Sequence, residues 1–412
     1  MIRSTPRLSI LFVVAALQGL ASVSFVTAAS ILQTVLGIPE SRFGALFLPM
    51  LAGSAVASAV GEAVVRAIGR VGAMSVGLFA ACLALLCLPL VVQFETRAFV
   101  ALLGCSGLLG TSLGVSGFVL NAGLFDVVAP AQRPRMLSAL HGTLAAGAAS
   151  APILLAQFGG EAGWTVSVRV IAGVLLGVAI TARFATCYAW SDESDESDEA
   201  GETEETAAAA DNTATRQASS PGGGELRVWA VAAFLYGLAE ATLATWAIVF
   251  LSTERGLTVA EGARALSAFW LAMAIGRLAA GAHDGFGSLR TKIVLHAAAI
   301  ALLFVALGSI AQPGLILWMY LLAGLACSAT FPWVLAAAAA SGSTTPERAA
   351  GAVGVAVTLG LLAGSFGIGG LVERFGMSAV LQVSALGPFL LVALALARPR
   401  PRLGPRPQSS SR

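Results

Sequence analysis

The apolar positions of this chain do not alternate with polar ones. They run in unbroken blocks, each near the roughly 20 residues an α-helix needs to cross a hydrocarbon core about 30 Å thick. Six blocks open the chain: Leu8–Leu36, Phe43–Val65, Gly72–Phe94, Ala98–Val128, Leu137–Phe158 and Ser167–Ala189. Six more follow: Arg227–Ser252, Ala263–Asp284, Lys292–Ala311, Leu315–Ala340, Ala349–Val372 and Met377–Ala397. Open sheets are excluded, because unpaired backbone groups cannot face lipid. The pattern predicts an all-α membrane protein, with twelve transmembrane helices in two pseudo-symmetric six-helix bundles. The predicted bundles are residues 1–189 and 227–398, joined by a linker at 190–226 and followed by a tail at 399–412.

The linker opens on Ser-Asp-Glu repeats and holds 11 of the chain's 22 acidic residues. Such a segment buries too little apolar surface to offset its ordering entropy, so it is predicted to be a disordered tether. The tail alternates Arg and Pro from Arg398 to Pro407, a composition suited to lying against anionic lipid headgroups. Arg3 and Arg7 precede the first block, and Val26-Thr27-Ala28 resembles a cleavage site. The stretch to Leu36 is far longer than the core of a signal peptide, so it reads as the first span.

Composition sharpens this picture. Hydrophobic residues make up 57% of the chain and charged ones 11%, against about 25% charged in soluble domains. A net charge of +2 with no basic domain excludes a nucleic-acid partner. Lys and Arg stay on the cytoplasmic side of a membrane. With the N-terminus inside, 17 of them fall in inner segments and 6 in outer ones, with Arg277 inside a span. Both termini and the linker are therefore predicted to be cytoplasmic, in a bacterial inner (cell) membrane. Cys82, Cys87, Cys105, Cys187 and Cys327 lie in or at the ends of apolar blocks and read as small core residues. His141, His283 and His296 are too far apart for a zinc motif, and no Gly-rich phosphate loop is followed by Lys. The expectation is no metal, no cofactor, no ATP drive and no enzyme chemistry.

The halves echo each other. The second span of each ends in a Gly/Arg cluster, Gly69-Arg70-Val71-Gly72 in one and Gly276-Arg277 with Gly281 to Asp284 in the other. Paired repeats of this kind build secondary transporters, with the substrate site between them near the midplane.

On these features the layout resembles the major facilitator superfamily over nearly the whole chain outside the linker and tail. Local sequence resembles its fucose permease-like branch, whose members are sugar–proton symporters. The resemblance is carried by Asn121, by Arg135-Met136-Leu137-Ser138-Ala139-Leu140-His141-Gly142 with Gly147 and Pro152, and by Tyr236-Gly237-Leu238-Ala239-Glu240. Trp246, Phe269-Trp270, Gly276-Arg277 and the commoner Phe331-Pro332 add to it. It implies transport by alternating access. Two features depart from the family pattern. The loop after the second span lacks the acid beside its first arginine, Arg66. The acids of the sugar symporters are also missing: the first span has none, and Gly117 stands one turn before Asn121.

Glu240 then becomes the most informative residue. It falls roughly 20 Å along its span at 1.5 Å per residue, near the midplane. An ionised carboxylate there is costly and faces a cavity or a partner; one that is neutral when buried and ionised when wet carries a proton. The alternative is a protonated acid that ties two helices together. Tyr236, one turn away, is placed to hydrogen-bond it. Gln18, Trp270, Trp333 and His141 are further cavity candidates, each of which reads equally as packing. Gly107, Gly110, Gly114 and Gly117 form one stripe ending at Asn121, predicted to let another helix approach, with Asn121 bonding across the contact. Arg66, Arg70, Asp126, Arg277 and Asp284 lie toward the cytoplasmic ends of spans and are gate or topogenic candidates.

The leading functional reading is a monomeric, proton-coupled carrier of a sugar or similar small polar solute. An exporter of apolar or amphipathic compounds is the second reading. A non-transporting receptor or scaffold that uses the acidic linker is the third.

Overall fold

A computed structural model describes residues 5–129, 132–157, 163–190, 223–282, 287–341 and 346–397. Twelve helices there are long and apolar enough to span a membrane, and no strand occurs among the described residues. They are Arg7–Leu36, Glu40–Ala59, Gly61–Phe94, Ala98–Val127, Arg135–Leu155 and Gly163–Thr181, then Gly224–Thr245, Val259–Ala282, Leu289–Ser309, Pro313–Ala340, Ala349–Phe375 and Met377–Leu396. They are called the first to twelfth spans below. The linker and tail lie outside the described residues, so the end of the molecule to which residues 190 and 223 lead is called the linker side, and the other the far side. Large apolar side chains such as Leu302, Trp318 and Leu386 face outward in the open, as a lipid-embedded surface requires.

The two halves repeat one packing scheme. The first span lies along the fifth and the second along the fourth; the seventh lies along the eleventh and the eighth along the tenth. Glycine sets these approaches. A Cβ on Gly147 would overlap the Ala16 carbonyl, and one on Gly19 would overlap the Leu144 carbonyl. Gly360 and Gly237 meet Phe234 and Val357 in the same reciprocal way in the second half. The stripe in the fourth span is of the same kind: Gly110 meets the backbone of Met50, and Gly114 that of Ser54. Without a hydrophobic force between helices in lipid, close backbone approach supplies the packing.

Helices break at several places, of which the block pattern marks one, the gap between Val65 and Gly72. The second and third spans turn at Gly69, whose φ of 71° is left-handed. Helical hydrogen bonds run on through Val60, from Val60 N–H to the Val56 carbonyl and from Val64 N–H to the Val60 carbonyl. The second span therefore extends to Gly69. The tenth divides at Ala329 into Pro313–Ser328 and Thr330–Ala340. Pro332 explains this: its ring excludes the carbonyl of residue 328 from the helix ladder. The eleventh carries a π-helical turn at Ala363–Gly367, and the seventh bends at Trp246 before Ala247–Thr253.

The halves meet along two seams. On one, the fifth span packs on the eighth: Ser138 donates to the Arg277 carbonyl at 2.7 Å, and Gly142 lies against Leu278. On the other, at the far side, a Cβ on Gly44 would overlap the Ser365 carbonyl, one on Gly369 would come within 2.8 Å of the Glu40 carbonyl, and Ser41 N–H reaches the Glu373 carboxylate at 3.2 Å. Rings plug this end. Phe25 meets Phe47 edge-on at 5.9 Å, Phe43 meets Phe47 at 5.4 Å, and Phe43 reaches across to Trp246 at 5.1 Å. All four are fully buried.

Candidate functional site

Beneath that plug lies a cavity of about 200 Å³ between the halves. The first and second spans line it with Ser22, Val23, Val26, Met50 and Leu51. The seventh, eighth and eleventh add Glu240, Ala241, Ala244, Thr245, Trp270, Leu361 and Ser365. Its roof is fixed by the bend and the π-turn. Thr245 and Ser365 share a hydrogen bond of 3.0 Å, and the Trp246 indole donates to the Gly364 carbonyl at 3.1 Å. Glu240 is the one ionisable side chain among the described residues of the wall. Trp270 packs edge-on against Phe269 at 5.4 Å, and its indole N–H is buried without a protein partner. A mostly apolar wall with a few convergent polar groups is the ordinary form of a small-molecule site.

On the linker side of this cavity sits a polar cluster built on the break in the tenth span. The carbonyls freed there take side-chain donors. Tyr236 donates to the Cys327 carbonyl at 3.0 Å, Arg277 Nε to Ser328 at 3.2 Å, and Thr330 to Ala326 at 3.0 Å. His296 Nδ1 also lies 2.8 Å from the Ala326 carbonyl. Tyr236 also faces the Glu240 carboxylate, which links the cluster to the cavity.

The sequence candidates distribute as follows. Glu240 and Trp270 line the cavity; Gln18, Tyr236, Trp333 and His141 do not. Gln18 is used between helices, its amide donating to the Leu113 carbonyl at 2.7 Å. Trp333 packs outside the cavity, on His296 at 4.6 Å and under Lys292 at 5.7 Å. Tyr236 is spent on Cys327. His141 is half-buried on the fifth span, within electrostatic reach of Arg277. Asn121 differs from expectation, since its amide donates within its own helix, to the Gly117 carbonyl at 2.8 Å. Arg70 pairs with Asp126, but both belong to the first half, so the pair ties the turn after Gly69 to the fourth span and does not bridge the halves. Arg66 pairs with Glu62 at 3.7 Å, with side chains 74% and 73% exposed. Arg277 lies inside the bundle at 8% exposure. Asp284 lies outside the described residues. Sequence reasoning missed Ser22, Thr245 and Ser365; their hydroxyls look like the many that bond back to their own helix.

Twelve spans, two repeated halves and a cavity between them meet a family model that matches residues 11–368, that of the Major Facilitator Superfamily. The chain belongs to that superfamily. No protein of curated function matches it. As a facilitator it is an integral, multi-pass membrane protein and a secondary transporter of a small molecule.

Proposed function

We propose that this facilitator is a proton-coupled carrier of a small polar solute, with Glu240 as the residue that takes up and releases the proton. The observation that carries the reading is the place of Glu240: within the seventh span, in the wall of the cavity between the halves. A carboxyl in a membrane span is kept for a purpose, and this is the one ionisable side chain among the described residues of that wall. The departures from the sugar symporters point the same way. No acid stands in the first span or one turn before Asn121, which leaves the second half to bear the proton.

A cavity of about 200 Å³ is smaller than the roughly 300–1,000 Å³ of sites for drug-sized ligands. That size favours a sugar-like or smaller solute, in keeping with the fucose permease-like resemblance, over export of bulky amphipathic compounds. The proposed cycle has the linker side facing the cytoplasm of a bacterial cell, following the bias of Lys and Arg. The far-side plug of Phe43, Phe47 and Trp246 then corresponds to a carrier closed to the outside, and the working unit is one chain.

The test is flux in proteoliposomes, using a solute found by thermal-shift screening of the purified protein. Glu240→Gln is expected to abolish accumulation driven by a pH gradient and to leave solute exchange intact. Accumulation by the variant at the wild-type level would sink the reading.

A further inference from the structure

A positive charge inside a membrane bundle is costly and is kept for a purpose. Arg277 is such a charge. It lies within the eighth span, 92% removed from solvent. Its Nε donates to Ser328, whose carbonyl Pro332 displaces from the helix ladder. Among the described residues no carboxylate lies within ion-pair distance of it, and its two terminal nitrogens have no protein partner. The groups within its electrostatic reach are Tyr236, Cys327 and His141. Glu240 acts on the first two of these as well, so Tyr236 and Cys327 stand between the guanidinium, which does not itself line the cavity, and the acid of the cavity wall.

A guanidinium offers donors in a planar fork that matches a carboxylate in two parallel bonds. One buried cation balances one negative charge. A phosphate monoester carries about −1.5 to −2 at neutral pH and would leave an uncompensated charge in a medium of low dielectric constant. We propose that Arg277 anchors a single carboxylate of the transported solute, so that the cargo is a small monocarboxylic acid, such as a sugar acid, and not a neutral sugar. The apolar wall then holds the carbon skeleton and Glu240 lies beside the bound anion. This rests on the cavity being the substrate site, and it names the chemistry of what enters.

The experiment uses the purified full-length protein and matched probes: gluconate, its neutral counterpart glucose, inorganic phosphate and chloride. Binding is read by thermal shift and by intrinsic tryptophan fluorescence. Gluconate is expected to bind wild type at least about tenfold more tightly than glucose or phosphate, and Arg277→Gln to lose about tenfold or more of that affinity. Arg277→Lys, which keeps the charge without the fork, should fall between them. Equal binding of gluconate and glucose by wild type overturns the proposal, whatever the folding of the variants. So does tighter binding of phosphate or chloride, or undiminished gluconate binding by a folded Arg277→Gln. A neutral solute accumulated in a Glu240-dependent way would overturn the anion anchor and leave the proton-coupling reading standing.

Discussion

At Gly147 a single hydrogen atom decides how closely the first and fifth spans approach. A Cβ there would overlap the Ala16 carbonyl, and backbone cannot move aside as a side-chain tip can. Gly147→Val is therefore expected to destabilise the bundle by about 1–3 kcal/mol, the usual cost of overpacking, seen as a lower midpoint in a thermal melt in detergent. The same change at Gly173, which has open space around it, should leave the midpoint nearly unchanged. At this scale the sequence was readable where a residue is chemically out of place. Glu240 in an apolar block stood out, and Trp270 was a fair candidate beside it. Ser22, Met50, Leu361 and Ser365 were not readable, because a cavity wall inside a membrane uses the same residues as a packed helix face. Gln18 and Trp333 show the converse. Each is polar or aromatic enough to suggest a site, yet one ties helices and the other packs beside His296. Only the arrangement of neighbouring helices separates those cases.

Among the helices, the tenth span carries the most instructive break. Pro332 takes the Ser328 carbonyl out of the ladder, Arg277 takes it up, and Tyr236 takes that of Cys327 at the same break. Pro332→Ala would allow Ser328 to rejoin the ladder. The variant is expected to melt at or above the wild-type temperature and to transport more slowly, since Arg277 Nε would then share the Ser328 carbonyl with a backbone N–H. A variant with unchanged flux would assign the break a purely structural role. Span positions were legible because length and hydropathy fix them, and the observed bounds fall within a few residues of the blocks except at the start of the third span and the ends of the second, sixth and seventh. The breaks at Ala329, Trp246 and Ala363–Gly367 were not. A helix that departs from its ladder depends on which neighbours stand ready to satisfy the freed groups, and block hydropathy does not record that. Gly69 was the exception: it sits in a Gly/Arg cluster that reads as a turn, and its positive φ requires the glycine.

For the whole molecule, the repeated pairing of first with fifth and seventh with eleventh spans makes each half a unit with its own glycine seams, and the cavity lies between the units. The acidic linker connects them outside the described residues. Read as a tether, it is dispensable for chemistry: replacing residues 195–218 by a Gly/Ser segment of equal length should preserve flux in proteoliposomes. Loss of flux in a folded variant would point to a role for the linker beyond joining the halves.

The central claim is that the cavity opens to one side at a time, and it can be tested without knowing the solute. In protein freed of its native cysteines and oriented in liposomes, Ser22→Cys places a thiol in the cavity wall. Ser41→Cys with Gly369→Cys places a cross-linkable pair at the far-side seam, where a Cβ at residue 369 would stand 3.2 Å from the Ser41 Cα. Labelling by a membrane-impermeant thiol reagent is measured from each side, with and without the cross-link. The account predicts labelling from both sides when the seam is free, and from the linker side alone when it is joined. Far-side labelling that persists after cross-linking would contradict it.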